Sequence, residues 1–333
     1  MPRLVGLQLL RAFAAIMVLI GHTIAETEHY TSINLGLDYI PWTRGVDIFF
    51  VISGFIITLS ATRFVNRPFA FFWRRVKRVA PLYYFFTTLM VITLIALPNG
   101  PKETVFDLGQ IISSYGFFPF AREDGRIAPV ISLGWTLNYE MFFYALFALS
   151  LCFNKSVQLI CATLVFLCTI GVFFPFGAVQ WVFWTNQIIL EFGFGILLAK
   201  AFQAGCKKPD WVLSGLCFLT GFGLLIIWDA TQLPRFIAAG VPATIIVAAG
   251  TCFFPASKSP YLILGDASYG LYLSHRFTLR LMTLLLLPLL PAGIFGAWIF
   301  VGLTVIFAIG VAVLVHICIE RPFFATPHRV RFS

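Results

Sequence analysis

Long apolar runs alternate with short polar breaks along most of the chain. Runs close to the roughly 20 residues that cross a bilayer as a helix occupy 5–25, 45–61, 80–97, 135–153, 157–174, 182–200, 211–228, 236–254, 262–287 and 292–319. The pattern predicts an all-α, polytopic transmembrane helical bundle of about ten spans. The ninth run is the most broken. Asp266, His275, Arg276 and Arg280 interrupt it, and Pro288 and Pro291 follow it, so an eleventh crossing stays open there. The first run carries Arg11 inside and ends at His22–Glu26 without a small-x-small site. It therefore reads as a retained helix rather than a cleaved signal peptide.

Composition agrees with the pattern. Of 333 residues, 59% are hydrophobic and 11% charged, against a charged share of about 25% in soluble domains. Mean hydropathy is +0.91. These values exclude a water-soluble fold and a disordered chain. Ten spans use roughly 200 residues, so the expectation is one transmembrane domain over 1–333 with no appended soluble domain. The formal net charge of +9 then reads as a topology signal and not as nucleic-acid binding. With the N-terminus inside, 16 of the 23 Lys and Arg residues fall on cytoplasmic segments and 5 on outer ones, while Arg276 and Arg280 sit in the ninth run. An even number of spans places both termini in the cytoplasm.

Two connections stand out. Residues 62–79 are densely basic and carry Phe69, Phe71, Phe72 and Trp73, as expected of a cytoplasmic loop lying partly in the membrane interface as an amphipathic helix. Residues 98–134 form the longest outer loop. The seven cysteines show no C-x-x-C or Cys/His cluster, so no metal is expected.

Ionisable residues inside spans are costly and mark functional candidates. Arg11 and His22 are eleven residues apart, about 20° from three whole turns and roughly 16 Å apart along a helix. One face would therefore carry Arg11 toward the cytoplasm and His22 past the midplane. A snorkelling arginine with an interfacial histidine is the plainer reading of the pair. Arg74, Arg75 and Arg78 offer guanidinium forks suited to phosphate, or a simple anchor to anionic lipid. Glu140 shares a helix face with Thr136 and Tyr144. His275 follows small and hydroxylated residues, as in a polar cavity between helices. Glu191 and His316 have weaker context and read as structural.

These segments resemble the membrane acyltransferase 3 family of bacterial surface-polysaccharide and antibiotic O-acyltransferases. The likeness rests on Arg11 with His22, the block Gly45–Phe55, the loop Arg74-Arg75-x-x-Arg78, Trp135-Thr136-Leu137-x-x-Glu140, and Ser268-Tyr269-x-Leu271-Tyr272-Leu273-x-His275. It runs from residue 4 to about 322, and the wording around Glu140 is most similar to the exopolysaccharide acetyltransferases. The resemblance implies transfer of an acetyl or other acyl group from cytosolic acyl-CoA, as co-substrate, to a carbohydrate hydroxyl. It places the protein in a bacterial cytoplasmic (inner) membrane, in contact with lipid, with polysaccharide-assembly proteins as possible partners. In that scheme His22 is base or acyl carrier and Glu140 orients or charges the site. Arg11, Arg74, Arg75 and Arg78 hold the donor, and Asp47, Ser268, Tyr269 and His275 line or support the cavity. Met141 stands where many relatives have a second acidic residue, and Arg276-Phe277 replaces a frequent x-Pro. The alternative class is a transporter or flippase for a glycolipid or acyl compound, since such pathways also carry intramembrane charge.

Overall fold

A computed structural model describes residues 4–96, 106–153, 155–206, 209–254 and 262–324. In chain order these form α1 (Val5–Thr31), α2 (Gly45–Ala61), α3 (Pro68–Ala96), α4 (Leu108–Tyr115), α5 (Trp135–Ser150), α6 (Ser156–Phe173), α7 (Val179–Trp184), α8 (Leu190–Gln203), α9 (Trp211–Asp229), α10 (Val241–Ala248), α11 (Leu262–Asp266), α12 (Ser268–Leu285), α13 (Ile294–Val315) and α14 (Arg321–Phe324). Single π-helical turns at Phe236–Gly240 and Ala249–Phe253 flank α10, and a third at His316–Glu320 extends α13. Among the described residues the only extended pairing is the isolated bridge between Ala121 and Ile127. The protein is all-α and multi-pass.

Among the described residues, eight helical stretches are long and apolar enough to cross a membrane: Val5–Thr31, Trp42–Phe64, Pro68–Ala96, Ser156–Phe173, Val179–Gln203, Trp211–Asp229, Phe236–Phe253 and Ile294–Glu320. They overlie eight of the ten runs. The other two runs fall on α5, which has only 16 residues, and on α12, whose hydropathy is lowered by serines, threonines, His275, Arg276 and Arg280. Both lie inside the bundle, α5 against α3 and α12 against α1 and α13. Their polar content follows from that position, because interior helices face one another and not lipid. The ninth run is also divided, with a turn at Ala267 between α11 and α12.

The basic segment, expected to lie partly in the interface as an amphipathic helix, is helical over most of its length. From Pro68 onward it is helix, continuous with the apolar part of α3. Proline at the first helical position costs nothing, because its missing N–H has no partner there anyway. Pro81 removes one ladder donor where the basic turns give way to the apolar ones. Of residues 98–134, expected as a long outer loop, 98–105 lie outside the described residues, and the remainder is ordered around α4. Asp107 caps that helix by accepting the Gln110 amide at 2.7 Å. The Ser114 hydroxyl accepts the Val130 amide at 2.9 Å, and Gln110 donates to the Ala128 carbonyl at 3.1 Å.

At the centre, α2 crosses α8 at two glycines. A Cβ on Gly54 would stand 2.1 Å from the Phe192 carbonyl oxygen, and one on Gly195 would stand 2.1 Å from that of Val51. Small residues at a crossing let two backbones approach, which is how helices associate where lipid gives no hydrophobic drive. Phe192 then stacks on Phe143 of α5 at 4.4 Å and meets Phe50 of α2 at 4.8 Å. The outer helices α6 and α9 turn apolar side chains such as Phe166 and Leu219 away from the protein, as lipid-facing helices must.

Candidate active site

A cavity opens between α1, α2, α3, α5 and α12. Each helix contributes polar groups to an otherwise apolar wall that includes Ile52, Ile56, Val79 and Leu137. Arg11 comes from α1, Ser53 from α2, Arg75 and Arg78 from α3, Thr136, Glu140 and Tyr144 from α5, and Ser268, Tyr269 and Tyr272 from α12; Glu320, after α13, completes the ring.

The arginines are held in different ways. Arg11 is buried and donates to the Gln8 side chain at 3.3 Å, one turn earlier on α1. The Arg75 guanidinium lies over the rings of Phe71 and Tyr144, at 5.5 and 5.9 Å from their centroids, and donates to the Ser60 hydroxyl. Such stacking fixes a planar cation while leaving donors for a ligand. Arg78 lies one turn on from Arg75, in a more exposed position. Arg74 does not join them. It sits about 100° round the helix from Arg75, exposed, with its guanidinium over Phe64 at 5.8 Å. Of the four arginines expected to hold the donor, Arg11, Arg75 and Arg78 line the cavity and Arg74 does not, because α3 is helical through this segment and turns it aside.

Glu140, expected to orient or charge the site, lines the same cavity. Its carboxylate accepts a hydrogen bond from Ser53 at 2.8 Å and another from the Tyr144 hydroxyl. Tyr144 is one of the two rings beneath Arg75, so Glu140 acts on the arginine side of the cavity. Ser268 donates to the Gly265 carbonyl at 2.7 Å and Tyr269 to the Val79 carbonyl at 2.8 Å. The second bond ties α12 to α3 across the cavity.

Two expected cavity residues lie elsewhere. Asp47 is fully buried in a bidentate pair with Arg235, at 2.9 and 3.0 Å, beside the equally buried Glu191. His275 is one layer behind the wall. Its Nε2 is 2.9 Å from Nδ1 of His22, the rings are stacked at 14°, and its Nδ1 is 3.0 Å from the Leu271 carbonyl oxygen. Tyr272 links the layers. It lines the cavity, its ring lies 6.1 Å from that of His275, and its hydroxyl is 2.9 Å from Thr136 Oγ1. Arg11 thus faces the cavity and His22 lies beyond Tyr272, in the order that their spacing along α1 requires.

The sequence reading missed Glu320 and Ser53. Glu320 accepts from His316 at 2.8 Å, and the i, i+4 spacing of that pair was a usable signal. Arg235 had no local signal, being 188 residues from Asp47.

The chain matches the family of the acyltransferase domain over residues 4–317. It is 32% identical over 273 residues to the exopolysaccharide production protein ExoZ of Rhizobium meliloti (strain 1021), covering 78% of this chain and 81% of that one. It is 25% identical over 321 residues to the acyltransferase MdmB of Streptomyces mycarofaciens, covering 84% of this chain and 79% of that one. No solved structure gives a significant match.

Proposed function

Since the chain belongs to the acyltransferase domain family that covers residues 4–317, we propose that it moves an acetyl or related acyl group from cytosolic acyl-CoA to a hydroxyl of a surface or exported polysaccharide or glycolipid. The observation that carries this reading is the convergence of Arg11, Arg75 and Arg78 on one cavity whose wall, at Tyr272, is backed by the His22–His275 pair. A donor with several phosphates meets permanent cations. An extended thioester arm meets the apolar wall. A hydroxyl acceptor needs a base, and a neutral imidazole is the side chain suited to that near pH 7.

The orientation follows from the charge count, with 16 basic residues on one set of connections and 5 on the other. It puts both termini, the basic start of α3 and the arginine cavity on the cytoplasmic side of a bacterial inner membrane. His22 is then nearer the outside, where the acceptor arrives. The name of the ExoZ relative supports an exopolysaccharide acceptor. Glu140 serves as the counter-charge that holds Ser53 and Tyr144, and through Tyr144 it sets the plane of Arg75.

Mass spectrometry of surface glycans tests the proposal. A deletion strain should lack one ester-linked acyl group. Wild-type protein should restore it, and a stably inserted His22→Ala variant should not. Unchanged glycan acylation in the deletion strain contradicts the proposal.

A further inference from the structure

We infer that His275 is a positioning residue that sets the tautomer of His22 and makes Nε2 of His22 the basic atom of the site. The inference rests on the reading of His22 as the base and goes beyond it by assigning the proton to a particular nitrogen.

The Leu271 carbonyl can only accept a hydrogen bond. Its oxygen lies 3.0 Å from Nδ1 of His275, four residues on along α12, so that nitrogen carries the hydrogen. A neutral imidazole has one N–H, which leaves Nε2 of His275 as an acceptor. Facing it at 2.9 Å is Nδ1 of His22, which must therefore be the donor. His22 then has a bare lone pair on Nε2. One backbone carbonyl thus fixes the protonation pattern of two rings that lie 253 residues apart in sequence. Burial protects the arrangement, since His275 is 1% exposed and no bulk water competes for its nitrogens. His22 is the less buried ring, as required of the one that meets the acceptor.

The pattern matches the chemistry. As the acceptor oxygen bonds to the thioester carbonyl carbon, Nε2 of His22 takes the hydroxyl proton. His22 is then cationic, and its Nδ1–H still points at the lone pair of His275, which stabilises the charge. When the C–S bond breaks, its electron pair stays on sulfur and the thiolate takes the proton from Nε2. His22 ends neutral, as it began. With the opposite tautomer Nε2 would carry a hydrogen and could not start the sequence. In the serine protease triad, an aspartate that fixes a histidine tautomer is worth about 10⁴ in kcat.

Glutamine and asparagine at position 275 separate this role from packing. A glutamine amide oxygen reaches the place of imidazole Nε2, while its NH₂ can bond the Leu271 carbonyl. An asparagine amide reaches only as far as Nδ1 and leaves His22 without an acceptor. Both are polar and similar in size. Membrane vesicles from a deletion strain supply the native acceptor, and CoA release is followed against acetyl-CoA concentration, normalised to inserted protein. We expect His275→Gln to keep kcat within about tenfold of wild type. We expect His275→Asn to lose about a hundredfold or more, within the range of general-base effects. The acetyl-CoA KM should stay within about twofold for both, because the arginine cavity is untouched. Equal losses in the two variants, wild-type kcat in His275→Asn, or a KM that rises in step with the loss would overturn the inference. A His22→Ala variant with wild-type kcat would instead remove the base assignment on which it stands.

Discussion

Replacing Arg75 should weaken donor binding far more than replacing either of its neighbours. Arg75 is mostly shielded from water, stacked on Phe71 and Tyr144, and anchored to Ser60. A hydrogen bond to a charged group in such a place is worth about 1.5–3 kcal/mol, or roughly 10- to 150-fold in affinity at about 1.36 kcal/mol per decade. Arg78 lines the same cavity from a more exposed position. Screened surface charges contribute about 0.2–1 kcal/mol, so its removal should cost no more than about fivefold. Arg74 faces Phe64 outside the cavity, and its removal should leave affinity unchanged within error. Calorimetric titration of acetyl-CoA into detergent-solubilised Arg74→Gln, Arg75→Gln and Arg78→Gln would give the order directly. Arg75→Lys keeps the charge but loses the planar fork and should fall between wild type and Arg75→Gln. If the Arg74 variant loses as much as the Arg75 variant, or if Arg75→Gln binds normally, the assignment of this cavity to the donor is refuted.

Three further outcomes follow from the packing and the polar contacts. Gly54→Ala drives a methyl against the Phe192 carbonyl and should cost about 1–3 kcal/mol, lowering the Tm of the purified protein by several degrees; Gly302→Ala, which meets nothing within 4 Å, should leave it unchanged. Arg235→Leu strands the buried Asp47 beside Glu191 and should destabilise by about 3 kcal/mol, whereas adding Asp47→Asn should recover much of the lost Tm. Glu140→Gln keeps an acceptor for Ser53 and Tyr144 but removes the counter-charge near Arg75, so acetyl-CoA affinity should change while the fold, followed by Tm, should not.

The bundle is legible because lipid imposes length and apolarity on each crossing, and eight of the ten runs so marked coincide with described helices long and apolar enough to cross. The two helices that fall short of those criteria, α5 for its length and α12 for its polar content, both line the cavity. That irregularity is itself a consequence of their interior position. The Arg11–His22 order was legible from helix geometry, since both residues lie on one continuous helix. The division between Arg74 and Arg75 depends on the phase of one continuous helix from Pro68, and an amphipathic stretch of undefined bounds within 62–79 does not fix that phase. The pairs His22–His275 and Asp47–Arg235 join residues 253 and 188 positions apart. His22, His275 and Asp47 stand out in the sequence and Arg235 does not, and nothing local names any of their partners; the pair with Arg235 holds Asp47 away from the cavity wall.

The central claim is passage of an acyl group from a cytoplasmic arginine cavity to an acceptor on the far side, through His22. Its most direct test is acetyl-labelled acetyl-CoA offered to the cytoplasmic face of inverted membrane vesicles. The account predicts that free CoA appears outside in step with labelled ester on glycan inside, and that both vanish in an inserted His22→Ala variant. Label that reaches the lumen as intact acetyl-CoA or as free acetate, with no glycan ester, would point to a transporter and contradict the account.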